Sequence, residues 1–215
     1  MSTKLNNEFI ELSGKYEFLS KELADVKLRM DDIKNRLDRL DHKTLGDFDS
    51  GSTVKIGNRE YIILDHSAKT TAVITKEFAE SMEFGKDDDY TKSNVRKYCE
   101  DEFYEELAKV VGKENIIEHM VKLVADDGTG KKNTIKANVS ILTTELYRRY
   151  REFLPKYGKW WWTATRVSAD DSLGDAHYVC YVCSYGILSC IGSDYCGGVR
   201  PYCILNSSIL VNEVK

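Results

Sequence analysis

The chain contains no glutamine, and only two of its 215 residues, Pro155 and Pro201, are proline. So little proline argues against a disordered or linker-dominated chain. No apolar run approaches the roughly 20 residues that a membrane-spanning helix needs, so membrane insertion is not expected. The first ten residues, MSTKLNNEFI, have no apolar stretch of the kind a secretory signal requires. The expected location is therefore the cytoplasm, or a virion packaged from it. Basic residues are not in excess: 31 Lys and Arg face 35 Asp and Glu, for a net charge of -4. That balance gives no electrostatic footprint for nucleic acid. The four histidines (His42, His66, His119 and His177) are scattered, and no Ser/His/Asp arrangement can be built from them.

The most local absence lies between Thr163 and Asn212, a window of fifty residues without Lys, Glu, Met or Trp. The whole chain carries 21 Lys and 17 Glu, so roughly nine would fall in an average window of that length. Strand-rich sequence is poor in both residues, which accounts for part of the gap. Tyr, Cys, Ser, Asp, Gly and His fill the window instead, as in HYVCYVCSYGILSCIGSDYCGGVRPY (residues 177–202). Such side chains suit adaptable binding surfaces, giving aromatic area at low entropy cost with small polar groups around it.

The N-terminal forty residues carry a different signal. Leu5, Phe9, Leu12, Tyr16, Leu19, Leu23, Val26, Met30, Ile33, Leu37 and Leu40 recur in steps of four and three. A 3.5-residue repeat held over about five heptads predicts a left-handed coiled coil over residues 1–43. No a position is β-branched, and Phe9 and Tyr16 are bulky there. Both features disfavour a dimer, so a parallel trimer or tetramer of the chain with itself is expected. Residues 44–53, TLGDFDSGST, read as a Gly/Ser/Asp linker.

Residues 54–215 read as an α+β domain. Val54–Ile56 and Glu60–Leu64 are expected strands around a Gly57-Asn58 turn, and Ala72–Thr75 is a third. Helices are expected from Ser93 to Val111 and from Ile141 to Leu154, with Ser93 and Thr143 or Thr144 as N-caps. Strands then return at Trp160–Thr165, Tyr178–Cys183, Ile187–Cys190 and Tyr202–Leu205. Alternation within the Trp160–Trp162 run sends Trp161 opposite to its neighbours, so at least one face of that strand is core.

The chemical motifs are weak. Cys180-x-x-Cys183 is an obvious metal candidate among six cysteines, yet residues three apart on a strand face opposite ways, and zinc needs four converging ligands. No metal or cofactor is expected, and Cys203 reads as a small buried hydrophobe. Asp87-Asp88-Asp89, Asp126-Asp127 and Asp170-Asp171 read as solvated loops without a calcium-ligand pattern. The run Asp126 to Lys132 lacks the GxxxxGK[ST] spacing of a phosphate loop and reads as a hairpin loop.

The runs VKIGNREYIILD, TKSNVRKYCEDEFYEEL, VSILTTELYRRY, WWWTAT and the GVRP ending together resemble one bacterial and phage domain family. That family is C-type-lectin-like and related in fold to formylglycine-generating enzymes. Its members include target proteins of diversity-generating retroelements, which rewrite adenines in a C-terminal repeat of the target gene. Rewriting AAY codons yields NNY codons, which cannot encode Lys, Glu, Gln, Met or Trp. The resemblance thus implies a variable region at about residues 163–203 in a binding protein rather than an enzyme. A fixed-specificity lectin-like module and a formylglycine- or cysteine-oxidase-type metalloenzyme are the alternatives. Expected ligand contacts are His177, Cys180, Tyr181, Cys183, Tyr185, Cys190, Ile191, Ser193, Asp194, Tyr195 and Cys196, facing an unidentified protein or surface ligand. Trp161, Trp162, Gly198, Arg200 and Pro201 are the expected framework.

Overall fold

The computed structural model describes residues 2–41, 43–129, 133–156, 158–169 and 177–214, in two units, Met1–His42 and Lys43–Lys215. The first unit is one helix, α1 (Ser2–Asp41). Forty residues at 1.5 Å each make it about 60 Å long. Ion pairs one turn apart, Glu11 with Lys15 (2.7 Å) and Asp25 with Arg29 (3.1 Å), support it locally. From Leu5 to Ile33 the heptad residues are 50–74 % exposed.

The second unit is α+β. Its strands are β1 (Lys43–Thr44), β2 (Thr53–Ile56), β3 (Arg59–His66), β4 (Thr70–Thr75) and β5 (Glu80–Glu83). A helical run follows: α2 (Asn94–Lys97), a π-helical turn (Tyr98–Phe103) and α3 (Tyr104–Val111). Next come β6 (Ile116–Ile117), β7 (His119–Leu123), β8 (Asn133–Ala137), β9 (Val139–Ser140) and α4 (Thr144–Tyr150). The chain ends with β10 (Trp161–Arg166), β11 (Tyr178–Val182), β12 (Leu188–Gly192), β13 (Cys196–Val199), β14 (Tyr202–Asn206) and β15 (Leu210–Glu213). One sheet runs β1-β15-β2-β3-β4-β14-β6, with β9 also on β14; a second runs β12-β11-β10-β13-β5; β7 and β8 form a hairpin. Among the described residues, strand pairs are antiparallel except β10 with β13.

Local chemistry explains the boundaries. The β2–β3 hairpin turns on Gly57-Asn58, where Gly57 has φ +59°. Ser93 Oγ accepts the Arg96 amide (3.0 Å) and Thr143 Oγ1 accepts the Leu146 amide (3.2 Å), the two expected caps.

Several strands are buried on both faces. Ile62, Leu64, Ile74, Trp161, Val182 and Tyr202 pack in one cluster, while their neighbours Tyr61, Ile63, Val73, Trp162, Val179 and Cys203 pack in another. With core on either side, these segments read as continuous apolar runs rather than as alternation. Trp161 and Trp162 are thus both core, on opposite faces.

The linker expectation for residues 44–53 is overturned. Lys43 and Thr44 leave the helix and pair with Val211 and Leu210. Leu45 is 0 % exposed and its amide donates to the Ile209 carbonyl (2.9 Å); Phe48 is buried too. Two apolar residues inside a Gly/Ser/Asp-rich stretch tie it to the core, which average composition conceals. Sequence alone also omitted β5, β6, β7, β8, β9, β13 and β15.

Candidate ligand-binding groove

The β11–β12 hairpin carries most of the expected contacts. It closes through the Cys183 amide on the Ile187 carbonyl (2.8 Å) and the Gly186 amide on the Cys183 carbonyl (2.9 Å). Gly186 takes φ +75°, the left-handed residue that a three-residue hairpin loop requires. Tyr147 Oη donates to the Gly186 carbonyl (2.8 Å) and ties the tip to α4, leaving Tyr185 72 % exposed.

At the other end the Ser193 amide donates to the His177 carbonyl (2.9 Å), and the Gly85 amide donates to the Ser193 carbonyl (3.2 Å). A groove of about 500 Å³ opens here. Six expected residues line it: His177, Cys190, Ile191, Ser193, Asp194 and Tyr195. Lys86, Tyr178 and Gly192 complete it. Tyr178 and Tyr195 are both exposed, so the groove offers two aromatic faces between a lysine, a histidine and a carboxylate. Such a mixture suits a ligand with both apolar and polar groups. Beside it, burial raises the Asp88 carboxyl above the usual carboxylate range, against the opposing pull of Arg166 and His177.

The remaining candidates separate. Cys180 and Ser193 are only 5 % and 4 % exposed, which corrects their assignment as open contacts, although Ser193 still borders the groove. Tyr181 is half-buried beneath Trp160, whose ring centroid lies 5.0 Å away. Cys183 and Tyr185 sit at the hairpin tip, and Cys196 pairs with Glu83 across β13 and β5. The ends of the 163–203 window are core as well: Thr163, Ala164, Thr165, Tyr202 and Cys203 are buried. Among its described residues, surface lies between Arg166 and Cys196. Asp170-Asp171 lies outside the described residues.

The framework residues are interior. Trp162 Nε1 donates to the Met82 carbonyl (3.0 Å), and its ring meets Phe84 edge-on at 5.5 Å. A Cβ on Gly198 would lie 2.3 Å from the Phe78 ring, and one on Gly197 would lie 2.3 Å from Trp160 and 2.7 Å from Trp162 Nε1. Arg200 Nε donates to the Thr75 carbonyl (2.9 Å), with the guanidinium 5.1 Å from the Trp161 ring. The Pro201 carbonyl accepts the Thr75 amide (3.0 Å).

Other acidic runs turn out to be structural. Asp89 Oδ1 accepts from the Thr91 amide (2.9 Å) and hydroxyl (2.7 Å), capping a helical turn rather than facing solvent alone. A second cleft, also of about 500 Å³, lies by Asp126, Thr144 and Arg148. There Thr144 Oγ1 and Arg148 Nη2 both donate to Asp126 Oδ1 at 2.9 Å, so its polar groups satisfy one another. Among the described residues no cluster of three or more His, Cys, Asp or Glu side chains could hold a metal. Nor is any described helix long and apolar enough to cross a membrane.

Lys86 and Tyr178 were missed by sequence reasoning. Tyr178 carried a signal, since it sits inside the Tyr/Cys-rich window. Lys86 carried none: only the β5–β13 pairing and the Gly85–Ser193 bond bring it to the groove. No family model matches the chain, and no curated protein or solved structure is significantly similar to it.

Proposed function

We propose that the protein is a homo-oligomeric ligand-binding device, in which α1 forms a parallel trimeric or tetrameric coiled coil and each domain presents the groove. It binds rather than catalyses, and its groove is the variable surface of a C-type-lectin-like retroelement target protein. One observation carries the reading: the expected framework residues Gly198, Arg200 and Pro201 of the Lys- and Glu-free window are interior, while His177, Cys190, Ile191, Asp194 and Tyr195 of the same window line one groove at its surface. A surface that is rewritten by codon randomisation needs this separation, because substitutions at exposed positions rarely exceed about 0.5 kcal/mol. The exposed heptad stripe of α1 supports the oligomer, since an isolated helix gains most of its stability by burying such a stripe. Several linked sites raise avidity by roughly 10² to 10⁴ without a new contact, which suits a surface of modest affinity.

Sequencing the DNA around the gene tests this reading. A reverse-transcriptase gene and a near-copy of the 3′ end, differing mainly at adenines, are expected nearby. The differing codons should include those of His177, Tyr178, Asp194 and Tyr195, and spare those of Trp162, Gly198 and Arg200. A gene without such a repeat contradicts the proposal.

A further inference from the structure

Cys180 and Cys190 face each other directly across the β11–β12 ladder. Hydrogen-bonded pairs alternate in an antiparallel ladder, and the bonded ends are known: Cys183 with Ile187 and His177 with Ser193. Counting inward from either end makes Cys180 and Cys190 a non-bonded pair. The Cys180 carbonyl agrees, since it accepts from Thr163 Oγ1 of β10 (2.7 Å) on the side away from β12. Opposed residues of a non-bonded pair have Cα atoms about 4.5 Å apart with side chains on one face. A disulfide accepts Cα separations of roughly 4.4–6.8 Å, so no backbone movement is required. Cys183 lies on the opposite alternation and at the turn, and Cys196 belongs to another strand pair.

We infer that Cys180 and Cys190 form a reversible cross-strand disulfide, a thiol-modification site that staples edge strand β12 to β11 under the groove. The two thiols have unequal roles. Cys190 is exposed and lines the groove, whereas Cys180 is buried and its thiol is pushed up to about 12 by burial. Cys190 as thiolate therefore makes the first attack on a low-molecular-weight disulfide, R–S–S–R, forming a mixed disulfide and releasing one RS⁻. Cys180 then gives up its proton to the released thiolate and attacks Cys190 Sγ, which expels the second RS⁻. Two protein thiols are oxidised while one small disulfide is reduced to two thiols. Closing the bond draws Cys190 Sγ out of the groove lining and against the sheet. This inference is independent of what the groove binds.

The test treats full-length protein with glutathione disulfide, then alkylates it under denaturing conditions and localises unlabelled cysteines by fragment mass spectra. Two fewer cysteines should alkylate, the missing pair should be Cys180 and Cys190, and no glutathione should be retained on either. Cys183→Ser should still close the bond, and Cys190→Ser, a change at an exposed position, should not. Full alkylation, a stable glutathione adduct at Cys190, or a bond that needs Cys183 would overturn the assignment.

Discussion

Arg200 stands where the chain leaves β13 of one sheet and enters β14 of the other, and it is wholly buried. A guanidinium in that position is tolerable only if its polar edge finds carbonyls and its flat face finds a ring. The Thr75 carbonyl accepts from its Nε, and the Trp161 indole lies 5.1 Å from the guanidinium carbon. Burial lowers its pKa to about 10, which still leaves the group protonated at neutral pH. Arg200→Ala removes the bond and the stacked surface together, so it should destabilise the domain by about 3 kcal/mol. Thermal unfolding followed by circular dichroism checks this, and an unchanged melting temperature contradicts the framework role. His119 is another interior polar group, bonded through Nε2 to Ser140 Oγ (2.9 Å) and edge-on to Tyr202. Burial brings it down to about 4, so it stays neutral at physiological pH.

At the scale of elements, β13 is the least legible part of the chain. Cys196-Gly197-Gly198-Val199 has low strand propensity, because glycine gives a strand nothing to pack. It is a strand because rings from elsewhere lie on its bare backbone: Trp160 over Gly197 and Phe78 over Gly198. Gly197→Ala places a methyl against Trp160 and Trp162, and Trp162 is itself bonded to the Met82 carbonyl. An overpacked change of this kind should cost about 1–3 kcal/mol. A denaturant midpoint equal to that of the unaltered protein contradicts the close packing. Other elements were plain in the sequence. The Gly57-Asn58 hairpin, the capped helices beginning near Ser93 and Thr144, and β10, β11 and β14 all follow from turn residues, caps and apolar runs. Of the β7–β8 hairpin only the loop is legible, because in strands this short, HMVKL and NTIKA, the alternation that buries Val121 and Ala137 is interrupted by Lys122 and Lys136 on the outer face. The site divides in the same way. Its aromatic and thiol content was visible in residues 177–196, while the burial of Cys180 and Ser193 and the arrival of Lys86 depend on which strands become neighbours.

Across the whole molecule, the proposed assembly joins a long helix with an exposed heptad stripe to a domain that carries an aromatic groove. In that proposal the groove holds two tyrosines, a lysine, a histidine and an aspartate, and linking several copies would raise avidity without a new contact. Assembly should reside wholly in α1. Domain 43–215 buries its own core, with its first and last strands paired, and should remain folded without the helix. Sedimentation equilibrium of the full chain beside the 43–215 fragment tests this most directly. A concentration-independent mass of three or four copies is expected for the full chain, with a folded monomer for the fragment. A monomeric full chain, or a fragment that keeps the full-length stoichiometry, would contradict it.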